Sequence, residues 1–269
     1  MHVPEIRVKG WSELNQALFE ETWNAAIQRF RSNFAYRGDP DAAWDLRTGL
    51  MRLGGNYADL EGHMLRNFKK YAQSGAVPED SIWNWLAVAQ HHGLPTRLLD
   101  WTYSPYVALH FATADLKRYD CDGVIWCVNY VELHKLLPKK LRAVLARERS
   151  NSFTVEMLQK GAPSLSALER LSSRPFALFL EPPSLDARIV NQFALFSMMS
   201  TPSALFDAYL RERAPRLVRR IIIPAALKWE VRDKLDQANI TERVLFPGLD
   251  GLTSWLKRHY MPKRFRITK

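Results

Sequence analysis

The alternation of apolar and polar residues divides the chain into helices gathered toward both ends and strands concentrated between residues 34 and 224. "WSELNQALFEETWNAAIQRF" carries Leu14, Leu18, Trp23, Ile27 and Phe30 at helical spacing. This predicts one amphipathic helix with Ser12 as N-cap and those five residues turned to the core. "NFAYRG" predicts a short strand ended by Gly38. "YADLEGHMLRNFKKYAQ" and "EDSIWNWLAVAQHHG" predict two more helices, the second stopped by Gly93 at a C-cap position with Pro95 two residues on. "TRLLDWT" reads as a strand, "SPYVALHFATADLKRY" as a helix with Ser104 as N-cap and Pro105 in its first turn, and "DGVIWCVNY" as a buried strand.

Residues 133–174 lose their periodicity among Lys, Arg and Ser, which predicts a helical or loose, mobile insertion. Beyond it, "FALFLEP", "FALFSMMS" and "RLVRRIIIPAAL" predict strands and "SLDARIVNQ" a short helix or turn. "ALKWEVRDKLDQANI" and "LDGLTSWLKRHY" predict two closing helices. With no Gly/Ser-rich linker and no internal repeat, the expectation is a single α+β domain over residues 1–269. It would have a mixed β-sheet, helical N- and C-terminal elaborations and a core of about residues 30–256.

Composition changes this picture in two respects. No apolar run approaches the ~20 residues of a membrane span, and "MHVPEIRVKGWSEL" lacks the pattern of a signal peptide. Cys121 and Cys127 would stand about 20 Å apart along a strand, too far for a disulfide. The expectation is therefore a cytoplasmic protein without a membrane partner. The net charge of +10 is also uneven: residues 211–269 hold fifteen Lys/Arg against six Asp/Glu. Such a surplus either collects phosphates or solubilises a helical region.

Several residues could carry chemistry. Arg37, after Tyr36 and before Gly38, is suited to a bidentate grip on phosphate or carboxylate, or is an ordinary surface Arg at a turn. In "HHGLPTRLLDWT", His91 and His92 could act as acid or base or could simply cap a helix; no metal is expected, because neither an H-x-x-x-H spacing nor a Cys partner lies nearby. Asp100 stands at a strand end that feeds a helix, where ligand groups gather, or else caps a turn. Trp101 offers a flat ring to a base or packs in the core. Glu181 ends one strand, Arg188 lies in the following helix or turn, and Gln192 opens the next strand. Walker A, G-x-G-x-x-G, G-x-S-x-G and H-E-x-x-H motifs are absent.

"FAYRG", "AQHHGLPTRLLDWTYSPYVALHFA", "GVIWCVN", "ARIVNQFALFS" and "VLFPGLDGLTSWL" run in order from Phe34 to Leu256. On these pieces the chain resembles the FRG domain family, named for its (Phe/Tyr)-Arg-Gly motif. A weaker resemblance links "YRG", "DWTYSPYVALHFA" and "NQFALFS" to mono-ADP-ribosyltransferases of the Arg-Ser-Glu type. It implies an ADP-ribosyltransferase-like sheet and an enzyme that uses NAD to modify a macromolecule, with nucleic acid or protein as acceptor, in a bacterial toxin or phage-defence setting. Arg37, with Tyr36 and Gly38, would hold the cofactor. Asp100 and Thr102 would take the places of the Ser-x-Ser hydroxyls, Thr102 six residues before Ala108, and His91, His92 and Trp101 would line the cleft. Gln192 stands where the family has its catalytic Glu, so the resemblance leaves the carboxylate to Asp100 or Glu181. The alternative it leaves open is a non-catalytic or hydrolytic module that binds nucleotides or nucleic acid.

Overall fold

A computed structural model describes residues 3–72, 76–77 and 79–263. Strand β1 (Glu5–Arg7) leads into helix α1 (Trp11–Phe19), a small hairpin of β2 (Trp23–Asn24) and β3 (Arg29–Phe30), and strand β4 (Phe34–Asp39). Helices α2 (Tyr57–Tyr71) and α3 (Ile82–His91) precede β5 (Leu98–Thr102), α4 (Pro105–Ala114) and β6 (Gly123–Asn129). Next come α5 (Tyr130–His134), α6 (Lys139–Glu148), α7 (Val155–Gly161), α8 (Leu165–Glu169) and β7 (Ala177–Leu180). The chain continues through α9 (Ala187–Asn191), β8 (Ala194–Met199), α10 (Phe206–Arg213) and β9 (Val218–Ile223) to α11 (Lys228–Gln237), α12 (Glu242–Leu245) and α13 (Leu249–His259). Among the described residues no helix is long and apolar enough to cross a membrane.

One sheet carries strands in the order β1-β9-β6-β4-β5-β8-β7. Every pairing in it is antiparallel except β1 with β9, so the sheet is mixed, in an α+β arrangement. Its two halves are well zipped internally: β4 pairs with β6 from Phe34↔Asn129 to Asp39↔Val124, and β5 with β8 from Leu98↔Met198 to Thr102↔Ala194. Between the halves, β4 and β5 register at Tyr36↔Thr102 alone.

The period-2 alternation of the strands explains how the sheet is covered. Ala35, Leu99, Trp101, Val124, Trp126, Leu195 and Ile222 build one continuous core on one face, closed by Phe206 and Leu210 of α10. The opposite face has two separate covers. Tyr36, Ile125, Cys127 and Ile221 pack under α1, α4 and α11. Leu98, Leu178, Leu180, Phe196 and Met198 pack under α3, α6 and α7. The two covers part over the β4–β5 seam.

Four expectations are corrected. The first helix stops at Phe19, where Thr22 donates its hydroxyl to the Phe19 carbonyl and Glu21 takes φ 59°. Trp23, Ile27 and Phe30 therefore lie on an exposed hairpin rather than in the core, while Leu14 and Leu18 are buried. Gly10, not Ser12, precedes the helix, and the Glu13 carboxylate accepts from the Lys9 N–H in place of a side-chain cap. Residues 133–174 are not loose: Leu141, Val144, Phe153, Met157, Leu158 and Leu168 are core residues of short helices.

The fourth correction concerns Gly38, which sits inside β4 rather than at a turn after it. Helix α4 lies directly on the strand at this point. A Cβ on Gly38 would collide with the Ala108 carbonyl oxygen and stand 2.7 Å from the Ala112 nitrogen. Glycine is required here by close backbone approach, not by a left-handed conformation.

Part of the C-terminal positive charge is internal: Arg219, Lys228, Arg232 and Arg258 are buried. Arg232 is fully buried and donates to Glu242 Oε1 at 3.2 Å and to His110 Nδ1 at 2.8 Å. Arg258 grips both oxygens of Glu242 (2.6 and 2.8 Å) and both of Asp236 (2.8 and 2.6 Å), joining α11, α12 and α13. Burial, and then the Arg232 charge, push His110 down to about 3, so it stays neutral and its Nδ1 can accept. Burial opposes ionisation of Glu242, but the Arg258 hydrogen bonds and the Arg232 charge prevail and hold it at about 2. Arg264, Arg266 and Lys269 lie outside the described residues.

Two predictions follow from this packing. Overpacking a core costs about 1–3 kcal/mol. Because the obstacle to Gly38→Ala is backbone, the expected loss is about 3 kcal/mol or more by denaturant melting, and an unchanged midpoint would contradict the contact. Glu242 is depressed in the folded state. Its contribution is thus complete above the unfolded carboxylate value of about 4.3 and is lost as pH falls toward 2. Denaturant melts across that window should show stability falling with pH, less steeply in Glu242→Gln; equal slopes would deny Glu242 this role.

Candidate functional site

Where the two helical covers part, the seam opens into a cleft of about 210 Å³. Tyr36, Arg37 and Gly38 of β4 line one side, and Asp100, Trp101 and Thr102 of β5 the other. Phe111 of α4 and Arg188 and Gln192 of the α9 segment complete it. Larger depressions lie elsewhere, along Leu136–Lys139 and Arg174–Phe176; this one lies at the sheet seam itself, where the Tyr36-Arg37-Gly38 strand and Asp100 meet Arg188 and Phe111.

Arg37 is held at three of its five N–H groups. Nε and Nη2 donate to the two oxygens of buried Asp39 (3.2 and 3.0 Å), and Nη1 donates across the seam to the Asp100 carbonyl at 2.8 Å. One N–H on each Nη remains for a ligand, already oriented. The alternation of β4 explains the Asp39 partner, since i and i+2 share a face.

Asp100 is the one exposed residue of β5. A directed chain of hydrogen bonds sets its carboxylate. The Leu98 N–H donates to Thr96 Oγ1 (3.0 Å), which leaves the Thr96 hydroxyl proton for Gln90 Oε1 (2.6 Å). The Gln90 amide is thereby oriented with Nε2 donating to Asp100 Oδ2 at 2.9 Å. Asp100 caps no turn through these bonds; it accepts from a side chain whose direction is fixed.

The remaining candidates are placed differently from expectation. The Trp101 ring turns away into the core, donating Nε1–H to Ser197 Oγ (2.7 Å) and lying edge-on to Phe179. Its indole offers no flat face to a ligand. Thr102 Oγ1 donates to the Gln192 carbonyl (2.7 Å) and accepts from the Ser104 N–H (2.9 Å), so its hydroxyl is spent on fastening. Gln192 does not open β8; it caps the C-terminal end of α9, and its Nε2 donates to the Leu245 carbonyl at 2.9 Å.

His91 does not wall the cleft. Its Nε2 lies 2.8 Å from Oδ2 of Asp186, the residue that caps the N-terminus of α9, and so it buckles α3 to the segment carrying Arg188. His92 is the exposed C-cap of α3, with its ring edge-on to His91. Glu181 is outside the cleft altogether, accepting from Tyr103 Oη (2.7 Å) and Ser152 Oγ (2.6 Å). Tyr36 lines the cleft, but burial pushes its phenol up to about 12, and its hydroxyl bonds Ser32 at 2.9 Å. It is a wall, not an acid or base near neutrality.

Three contributors had no assigned role from the sequence. Arg188 lays its guanidinium 5.1 Å from the centre of the Phe246 ring, Phe111 packs edge-on to Phe246, and Gln90 orients Asp100. The sequence places Arg188 only in a helix or turn, and nothing local in it sets Phe111 apart from core residues of the same helix.

Residues 32–121 match the family model of the FRG domain. That stretch runs from just before β4 to just before β6 and includes both sides of the seam, but not Arg188 or Gln192. No curated protein and no solved structure matches the chain.

The Arg37–Asp39 pair makes a stability test the first check on this geometry. Arg37→Ala would leave a buried carboxylate without its partner, an error that costs about 3–5 kcal/mol in fully buried pairs. For this partly exposed arginine the expected loss is about 3 kcal/mol in denaturant melts, with substantial recovery in the double variant Arg37→Ala/Asp39→Asn. If Arg37→Ala melts with the wild type, the strap is not holding the seam.

Proposed function

We propose that this chain, which belongs to the FRG domain family through residues 32–121, binds NAD in the seam cleft and transfers its ADP-ribose to a macromolecular acceptor. The observation that carries this reading is the convergence of the free N–H groups of Arg37 and the Asp100 carboxylate on one cleft. Arg37 and Arg188 suit the pyrophosphate, whose charge two guanidiniums can match. Phe111 supplies an apolar wall. The cleft is smaller than the ~300–1,000 Å³ of common ligand pockets, so it would enclose one end of the dinucleotide while the rest crosses the rim. On this reading the divided sheet is of the ADP-ribosyltransferase type.

The reaction breaks the bond between ribose C1′ and the nicotinamide ring nitrogen, and the bonding pair leaves with the ring, neutralising its positive charge. An acceptor oxygen or nitrogen forms the new bond to C1′ and gives up its proton. Positive charge builds on the ribose meanwhile. Asp100, kept as an acceptor by Gln90, is the carboxylate placed to bind the ribose hydroxyls and stabilise that charge. Glu181 is not proposed for this role because it lies away from the cleft with its hydroxyl partners.

One observation favours a second reading, a nucleotide-binding module without turnover. The Thr102 hydroxyl and the Gln192 amide, two polar groups a transferase of this pattern would use, are both occupied by internal bonds.

The experiment is nicotinamide release from NAD, with NAD affinity measured in parallel. Asp100→Asn should keep affinity within a few fold and lower turnover by about 10² or more, the scale on which a single electrostatic stabiliser acts. Full activity in Asp100→Asn would remove the carboxylate assignment. NAD binding without release, with any acceptor tried, would select the binding module. Gln192→Glu is not a clean way to install a carboxylate here, because it would set an anion against the Leu245 carbonyl.

A further inference from the structure

The C-terminal surplus of Lys and Arg divides into two populations. Arg211 pairs with Asp207, Arg219 with Glu21, Arg220 with Glu5, Lys234 with Glu230, and Arg232 and Arg258 with Glu242. Buried Lys228 donates to the Pro40 and Arg118 carbonyls. These charges are matched within the chain, some in the interior and some at the surface. A second population, Arg213, Arg216, Arg243, Lys257 and Lys263, is exposed and has no ion-pair partner among the described residues.

Arg213 lines a groove with two other exposed cations in the same condition, Lys139 at the start of α6 and Arg174 just before β7. Two adjoining depressions of about 450 and 540 Å³ share Arg174, Tyr209 and Arg213, so the groove is continuous. Glu212 is the one carboxylate on its lining. The lining is mixed: the Tyr209 ring and the half-exposed Leu136 add apolar surface beside the cations.

We propose that this groove binds single-stranded nucleic acid, with Lys139, Arg174 and Arg213 on phosphates and bases resting on Tyr209 and Leu136. Cations that the protein leaves unmatched fit an anionic partner, and their spread along a groove fits a repeating anion rather than a single one. This apolar surface separates the strand forms. Unpaired bases expose faces that an aromatic or aliphatic surface can cover, whereas a duplex hides them. The groove lies apart from the seam cleft, and the proposal stands without NAD turnover.

The test is fluorescence anisotropy of the full chain with a labelled oligothymidylate of about 16 nucleotides, a length that covers common single-strand sites, without NAD. The expected slope of log K against log salt is about −2, three phosphates at roughly −0.7 each. Arg174→Gln and Arg213→Gln, both at exposed positions, should each reduce the slope by about 0.7. Lys257→Gln, which removes an exposed cation from α13, should leave affinity unchanged. Four outcomes overturn the proposal: no binding at low salt, equal weakening by Lys257→Gln, equal binding of a duplex of the same length, or equal competition by polyglutamate, which would mark an acidic polypeptide site. Melting curves of the variants distinguish lost contacts from lost fold.

Discussion

The two halves of the sheet are joined by one backbone pair, Tyr36 with Thr102, and the rest of the site follows from that economy. A sheet zipped along its whole length would bury the facing edges of β4 and β5 under a single helical layer. Here the layer is interrupted, because α4 must lie against Gly38 on one side while α3 and α7 cover Leu98 and Met198 on the other. The gap leaves main-chain groups without ladder partners, and such groups must be satisfied otherwise. Arg37 does this at the Asp100 carbonyl. The same guanidinium neutralises buried Asp39, so the strap that holds the seam also brings cationic N–H groups to the cleft.

A ring of polar contacts closes around that opening. Thr102 holds the Gln192 carbonyl, Gln192 and Asn191 hold the carbonyls of Leu245 and Val244, and Glu242 in the same short helix is gripped by Arg232, which reaches back to His110 on α4. His91 adds a second buckle through Asp186. Each of these residues has a side chain capable of chemistry, and each is used to fix an element in place. The groups left to meet a ligand are those whose bonds are incomplete: two N–H groups of Arg37, one oxygen of Asp100, and the face of Arg188 away from Phe246.

This distinction explains what the sequence made legible. Elements with strong local signals came through: α3 with Gly93 just past its end, α4 with Ser104 and Pro105, and the strands β5, β6, β8 and β9. Arg37 stood out through the Tyr-Arg-Gly motif, and Asp100 through a strand that feeds a helix. Trp23, Ile27 and Phe30 misled because helical spacing alone cannot register that Glu21 leaves the helical region. Gly38 misled in another way: a glycine after a strand residue suggests a turn, and only the approach of α4, seventy residues on, shows that the missing Cβ is what matters. His91, Thr102 and Gln192 looked available because their partners, Asp186, Ser104 and Leu245, are set by tertiary contact or fall outside any motif spacing.

Charge shows the same limit most clearly. Fifteen Lys and Arg in residues 211–269 suggest a basic surface, yet the count treats Arg232, fully buried against Glu242, and Arg213, open on a groove, as equals. A cation matched by a neighbouring carboxylate presents a dipole, whose field falls off faster with distance than that of a single charge, and salt screens both over roughly 8–10 Å. An unmatched one projects its field to a partner. Unmatched charge is also assembled across segments, where α6, α10 and the approach to β7 bring Lys139, Arg213 and Arg174 together. Two of those three lie in the part of the chain whose sequence balance is nearly neutral. Net charge per segment follows the order of the chain; the electrostatic surface follows the fold, and the two coincide only where a segment folds upon itself.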